Sequence, residues 1–469
     1  MKKYKYTKGI VLLGLIALIG LSSCQVTNRY KTPEIDTQNL YRGMPSTDTS
    51  TIANVPWKEY FSDPYLTALI EEGISNNYNL QIAYTRIQQA EASLSIAKAV
   101  YFPDVALVGQ VNQSRYSNGS RGKDVLGYPS TNYSLGVSAS WELDVWGKLN
   151  RQSRAKYAQF LNSHAYKNLI QTSLIANIAT SYYSLLALDE KLAITLENAK
   201  LMQENVETME ALKKAGLQNG AAVEQSKSLL YGTQASIPDL ESQIRQIENS
   251  ICTMLGRKPG EISRQNIYDQ QYPGQLEYGV PVQILAKRPD VQQAELSFRS
   301  AFELRNAAQA SFYPSITLSS GTIGYATVNT LANFFKPENL FANIIGGLTQ
   351  PLFAKKQLTG NLKIAKAQQQ EALLVFEQTV LGAGQEVTDI FYSFESSLKK
   401  NETRQKQIEA CKNSVSFTQE LLKAGVANYT EVLNAEQNLL SAQLNQVNDK
   451  LEQLQCTVNL YKALGGGVE

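Results

Sequence analysis

A chain of 469 residues with 43% hydrophobic side chains can bury a sizeable core, and a formal net charge of +2 offers no basic face for nucleic acid. Its one histidine, His164, has no neighbours that suggest a Ser/His/Asp triad or a metal cluster, and no Gly-x4-Gly-Lys phosphate loop occurs. Carboxylates are plentiful but no spacing gathers two of them in a cleft, so the chain does not read as an enzyme and no cofactor or metal is expected.

Residues 1–23 read as a secretory signal. Lys2, Lys3, Lys5 and Lys8 precede an apolar run, Ile10 to Leu21, that is too short and wrongly flanked for a spanning helix. The run ends in Leu21-Ser22-Ser23-Cys24, which resembles the bacterial lipoprotein signal, where Cys24 would be lipidated after cleavage; a plain signal peptide is the alternative. Removing these residues, which hold four lysines and no acid, takes the net charge from +2 to −2. Residues 24–60, rich in Thr, Ser, Asn and Pro, read as a tether closed by Trp57 and Phe61. Asp63 before Pro64 starts a helix. The apolar spacing from Leu66 through Ile70, Leu80, Ala83, Ile87 and Leu94 carries it to about Phe102.

After Pro103 the period changes from 3.6 to 2. Val105, Leu107, Gly109 and Val111 alternate with Ala106, Val108, Gln110 and Asn112. Beyond a turn over 114–131, Tyr133, Leu135, Val137, Ala139 and Trp141 face one way and Asn132, Ser134, Gly136, Ser138 and Ser140 the other. Such strands are long enough to cross a bilayer when tilted. A soluble hairpin packed on helices is the alternative. Trp141 and Trp146 suit interfacial anchoring or packing at the strand-to-helix corner.

Trp146 to Leu212 is then a long polar helix without proline, with Ile175, Ile178, Tyr182 and Leu185 as its stripe. Uninterrupted, it would be roughly 100 Å long and would need partners along its length. It turns at Ala215-Gly216-Leu217-Gln218-Asn219-Gly220, where glycine just past the helix is a C-terminal cap signal. A further helix covers 222–255.

The same plan then recurs. Phe353 to Leu422 repeats the long helix, with a stripe of Val387, Ile390, Phe391, Phe394 and Leu398. Strands over 315–325 and 340–350 repeat the hairpin, and Ala424-Gly425-Val426-Ala427-Asn428 repeats the turn. Residues 61–260 thus form a first repeat, 261–281 a linker and 282–469 a second repeat. Cys252, Cys411 and Cys456 read as unpaired thiols. Four strands cannot close a barrel, and an open edge cannot face lipid. Either the strands lie outside a membrane or several chains share them; three chains would supply twelve.

The phrases Trp57…Phe61-Ser62-Asp63-Pro64, Asn77-Tyr78-Asn79-Leu80, Trp141-Glu142-Leu143-Asp144-Val145-Trp146-Gly147-Lys148, Leu285-Ala286-Lys287-Arg288-Pro289-Asp290-Val291 and Glu431-Val432-Leu433 stand in characteristic order. They resemble the TolC-like outer-membrane efflux proteins, in their lipoprotein (OprM-like, NodT-like) branch. Ala354-Lys355-Lys356 departs from the family at the second strand-to-helix corner.

The resemblance implies a mainly α fold with a membrane β-barrel: a homotrimer whose twelve-stranded barrel in the outer membrane sits on a coiled-coil tunnel reaching into the periplasm. It implies a passive exit duct of a tripartite efflux system, fed by an inner-membrane pump of RND or ABC type through a periplasmic adaptor. It places adaptor docking at Ala215, Gly216, Asn219, Gly220, Ala424, Gly425 and Asn428, and a constriction ring at Glu431 and Asn434, where Asn434 lacks the family's charge. An ordinary first-turn acid is the alternative role for Glu431. A lipid-anchored coiled-coil lipoprotein without a pore is the alternative for the whole chain.

Overall fold

The structure, a computed structural model, describes residues 27–36, 40, 55–115, 117, 130–271 and 286–467, with Ser319 and Ser320 described by backbone alone. The signal segment, Cys24, most of the tether and part of the linker lie outside the described residues.

The helices are α1 (Trp57–Tyr60), α2 (Pro64–Asn76), α3 (Tyr78–Ala99), α4 (Lys148–Lys214), α5 (Gly220–Met254), α6 (Pro289–Ala310), α7 (Gln357–Lys423) and α8 (Tyr429–Ala463). The strands are β1 (Asp104–Ser114), β2 (Ser130–Leu143), β3 (Ser315–Val328) and β4 (Leu340–Thr349). The internal repeat is explicit in their lengths. Both α4 and α7 have 67 residues, and both α5 and α8 have 35.

One expectation is corrected. The helix anticipated from Pro64 to about Phe102 is two helices, because Asn77 leaves the helical region (ψ 124°) and caps the second with its own side chain. Its Oδ1 accepts from the Leu80 amide at 3.1 Å, and its Nδ2 donates to the Met254 carbonyl at 2.8 Å. Asparagine competes with the backbone in this way, which a hydrophobic period does not register.

The chain divides into two compact units, each drawing on both halves of the sequence. The first holds Arg86–Ser163, Ala294–Phe376 and the described residues up to Glu34. Its four strands form one antiparallel sheet in the order β1-β2-β3-β4, which leaves β1 and β4 as open edges. At the corner after β2, Asp144 accepts from the amides of Leu149 and Asn150 at 3.0 and 2.7 Å, capping α4 with an anion where the helix dipole favours one. The Trp146 indole donates to the Pro314 carbonyl at 2.7 Å and stacks on Tyr313, which ties one repeat's corner to the other's. Trp141 donates to the Tyr101 carbonyl.

At the second corner, Lys355 and Lys356 take φ of 47° and 63°, where the first corner has Gly147 at 76°. A side chain in this left-handed region costs roughly 1–2 kcal/mol per residue, so the corner at Lys355 and Lys356 is locally strained. Near the start of α4, Arg151 donates to Glu303 at 2.7 Å and to the Thr27 hydroxyl at 3.0 Å. Tyr30 packs edge-on against Phe302 at 5.6 Å.

The second unit is built on an apolar cluster of α1, α2, α4, α5 and α8 that contains the whole predicted stripe Ile175, Ile178, Tyr182 and Leu185. Asp63 caps α2 through the Tyr65 amide and accepts from Tyr182 and Gln270, each at 2.7 Å. Arg288 joins Asp290, Glu386 and the carbonyl that ends α8. The stripe on α7 is only partly covered. Val387 and Phe391 are buried, Ile390 and Phe394 are half-buried and Leu398 is exposed in a single chain, as are Leu374, Leu381 and Phe417 elsewhere on the helix. Apolar surface left along so long a helix is surface for a partner. Cys252, Cys411 and Cys456 are free thiols, and burial lifts the Cys456 thiol to about 11.

Candidate functional site

The sheet has two chemically distinct faces. Directly opposed residues share a face, and the register opposes Leu107 to Val137 and Val137 to Ile323. It likewise opposes Leu135 to Tyr325 and Tyr325 to Leu340, and Leu143 to Ile316 and Ile316 to Leu348. On the other face Gln110 opposes Ser134, Ser138 opposes Thr322, and Thr322 opposes Asn343.

Neither face is covered. On the apolar face Leu107, Ile323, Ile344 and Leu348 are all more than half exposed, and on the polar face Gln110 and Asn343 are exposed. A layer of helix would normally bury an apolar sheet face, and among the described residues none does so. Among the described residues no helix is long and apolar enough to cross a membrane. The polar face carries Gly136 opposite Gly324, where a side chain on either would run into the neighbouring strand's backbone.

The turns α4–α5 and α7–α8 are near copies. Gly216 and Gly425 take φ of 78° and 75°. Their amides donate to Lys213 and Leu422, and the next amides, of Leu217 and Val426, reach back to Leu212 and Leu421 at 2.9 and 3.0 Å. This pair of bonds is the Schellman stop, and it needs a left-handed residue at the glycine. Ala215 and Ala424 close the helices just before it.

Asn219 and Asn428 are the N-caps of α5 and α8, accepting from the amides of Ala222 and Thr430; Gly220 is the first residue of α5. Four of the seven turn residues singled out from sequence, Gly216, Gly425, Asn219 and Asn428, therefore have a conformational reason to be there. The exposed large apolar residues at the turns are others, Leu217 and Val426, at 71% and 75% exposure. The signal for them was their place, since the residue after a Schellman glycine is usually apolar and folded back on the helix.

Beneath the turns the two repeats meet. Met209 of α4, Val223 of α5, and Tyr429 and Val432 of α8 form one buried cluster with Leu212 and Leu422. Glu431 lies in the first turn of α8 and is exposed, as is Asn434 one turn later.

Glu436, which sequence reasoning missed, is buried four residues beyond Val432 in the apolar stripe. Its Oε1 accepts from Asn205 of α4 at 2.6 Å and Gln419 of α7 at 3.4 Å, while Oε2 is buried with no partner among the described residues. Burial lifts this carboxyl above the ordinary carboxylate range, against the lowering effect of the two amides.

A carboxyl held above its exposed value is unopposed below the ordinary range of about pH 4 and costs stability as pH rises through the raised value. Glu436→Gln keeps the Oε1 acceptor, so it is expected to stabilise the packed hairpins at pH 7 and to make no difference near pH 4. Hydrogen exchange at the α8 amides around Val432 measures this; equal protection of both proteins at pH 7 would refute it.

Two matches to the family described as "Outer membrane efflux protein" cover residues 69–257 and 280–466. The chain is 29% identical to the probable outer membrane lipoprotein SilC of Salmonella typhimurium over 88% of both chains. It is 26% identical to the cation efflux system protein CusC of Escherichia coli K12, over 97% of this chain and 99% of that one. Among solved structures, the outer-membrane channel OprN superposes with a TM-score of 0.87 at 26% identity, covering 95% of this chain and all of that one. CusC superposes at 0.83 and 26%, over 94% and 100%.

Proposed function

Because the chain belongs to the outer membrane efflux protein family, we propose that three copies close their four-stranded sheets into a twelve-stranded barrel around a water-filled exit. The protein is an outer-membrane efflux channel, the exit duct of a tripartite pump. The observation that supports its route through the membrane is the two-faced sheet: apolar on one face, polar on the other, uncovered on both and open at β1 and β4. In this four-stranded order β1 and β4 run antiparallel, so β4 of one copy can pair with β1 of the next in the same alternation. Closure would remove the edges that lipid does not tolerate.

In this reading residues 61–260 and 282–469 act as the two repeats and Cys24 carries the lipid. The turns holding Ala215, Gly216, Asn219, Gly220, Ala424, Gly425 and Asn428 receive a periplasmic adaptor that couples the duct to an inner-membrane pump of RND or ABC type. Glu431 rings the axis, with Asn434 one turn further along α8. Three carboxylates on an axis attract cations, as charged rings do in pores, and the amide at Asn434 adds no charge to theirs.

Relatives are named for cation efflux, toluene efflux and pyoverdine export. We therefore assign the choice of cargo to the pump.

Single-channel recording in planar bilayers tests the reading. The mature chain is expected to conduct, and Glu431→Gln to reduce its preference for cations over anions. Conductance with unchanged selectivity would remove Glu431 from the constriction. A monodisperse single chain, soluble without detergent and non-conducting, would favour the lipoprotein without a pore.

A further inference from the structure

The β3–β4 connection, residues 329–339, sits at the end of the sheet away from the helices. It is well built for a hairpin loop. Asn329 and Asn333 take left-handed φ of 60° and 65°. Asn329 exchanges two 2.7 Å hydrogen bonds with the backbone of Thr131, one through its amide and one through its side chain. The Asn339 side chain donates to the Asn333 carbonyl at 2.9 Å.

This ordered loop nevertheless presents apolar groups to solvent, with Phe335 at 68% and Leu331 at 59% exposure. Phe334 and Phe335 meet edge-on at 5.1 Å, and Phe335 sits edge-on against Tyr325 at 5.5 Å. Tyr325 belongs to the apolar face of the sheet, directly opposite Leu135 and Leu340. The aromatic loop thus continues the apolar face past the end of the strands. Lys336, exposed, follows Phe335 directly.

We infer that this loop is a membrane-surface anchor whose occupant is lipid of the outer leaflet. Phe335 and Leu331 seat at the boundary between acyl chains and headgroups, and Lys336 faces the headgroup phosphates. The inference rests on the reading that the apolar sheet face meets lipid. Phe and Leu side chains seat at that boundary when a cationic residue beside them stays among the headgroups, and a lysine there gains from anionic lipid. The loop's own hydrogen bonds hold its apolar groups in place beforehand, so little order is lost on insertion.

Trp fluorescence in vesicles of phosphatidylcholine brominated at defined depths tests this on the full channel. Phe335→Trp is read as the difference from the parent protein, and Ile323→Trp, at the centre of the apolar face, is the companion variant. Residue 335 is expected to show blue-shifted emission that is lost with shallow bromines, and residue 323 emission lost with deep ones. Quenching at 323 but not at 335, with 335 open to aqueous acrylamide, would overturn the anchor alone. Absence of quenching at both would overturn the lipid-facing sheet and the anchor with it. Ready disulfide formation between protomers carrying Leu331→Cys would place the loops together over the exit, and would also overturn the anchor.

Discussion

Gly324→Val is expected to abolish the assembled barrel while leaving the chain expressed. A Cβ at position 324 would fall on the Leu135 carbonyl oxygen and the Gly136 Cα, closer than real Cβ atoms come to backbone. The contact cannot be relieved by turning a side chain, because both obstacles are main chain. It also sits at the seam that matters most. β2 and β3 come from different repeats, and their pairing is what joins the two hairpins into one sheet. Forcing them apart at Gly136–Gly324 removes ladder bonds on both sides of the site. Gly346 is the control, since a Cβ there meets nothing within 4 Å; Gly346→Val is expected to assemble normally. Particle mass in mild detergent reads the result, and a Gly324→Val particle with the parent's mass and yield would refute the argument.

The second large effect is expected from Arg151→Met. The Arg151–Glu303 pair is nearly dry, with side chains 5% and 1% exposed. Glu303 Oε1 has no hydrogen-bond partner among the described residues, and Arg154 approaches it only to 4.0 Å. Removing the arginine strands a buried carboxylate, which costs about 3–5 kcal/mol, whereas replacing both members by apolar residues of similar size is often close to neutral. Arg151→Met should therefore unfold at markedly lower temperature than the parent, and Arg151→Met with Glu303→Met should recover most of the loss. If heating in detergent is irreversible, inactivation rates at a fixed temperature make the same comparison. A double variant as unstable as the single one would show that the charge pair is not the source of the effect. Arg151 also donates to the Thr27 hydroxyl, so its loss should release the described N-terminal segment as well.

Much of the architecture was legible in the order of residues. Alternation from Val105 to Val111 and from Tyr133 to Trp141 marked strands with one greasy and one polar side. The stripe through Ile175 and Tyr182 marked a buried helix face, and the glycines of the two turns marked where α4 and α7 stop. Each of these signals is local: a period of 2 or 3.6, or a residue whose backbone conformation its side chain restricts.

What the tertiary structure decided involves residues far apart in the chain. The β2–β3 register sets Gly136 against Gly324, and the Trp146 indole finds the Pro314 carbonyl. Arg151 meets Glu303, and Glu436 is enclosed between Asn205 and Gln419. Asn77 shows the same limit at short range, because its cap holds α3 while its amide reaches Met254. Sequence periodicity states which face of an element avoids water, but a polar residue's partner is chosen by whichever donor or acceptor the fold brings within hydrogen-bonding distance.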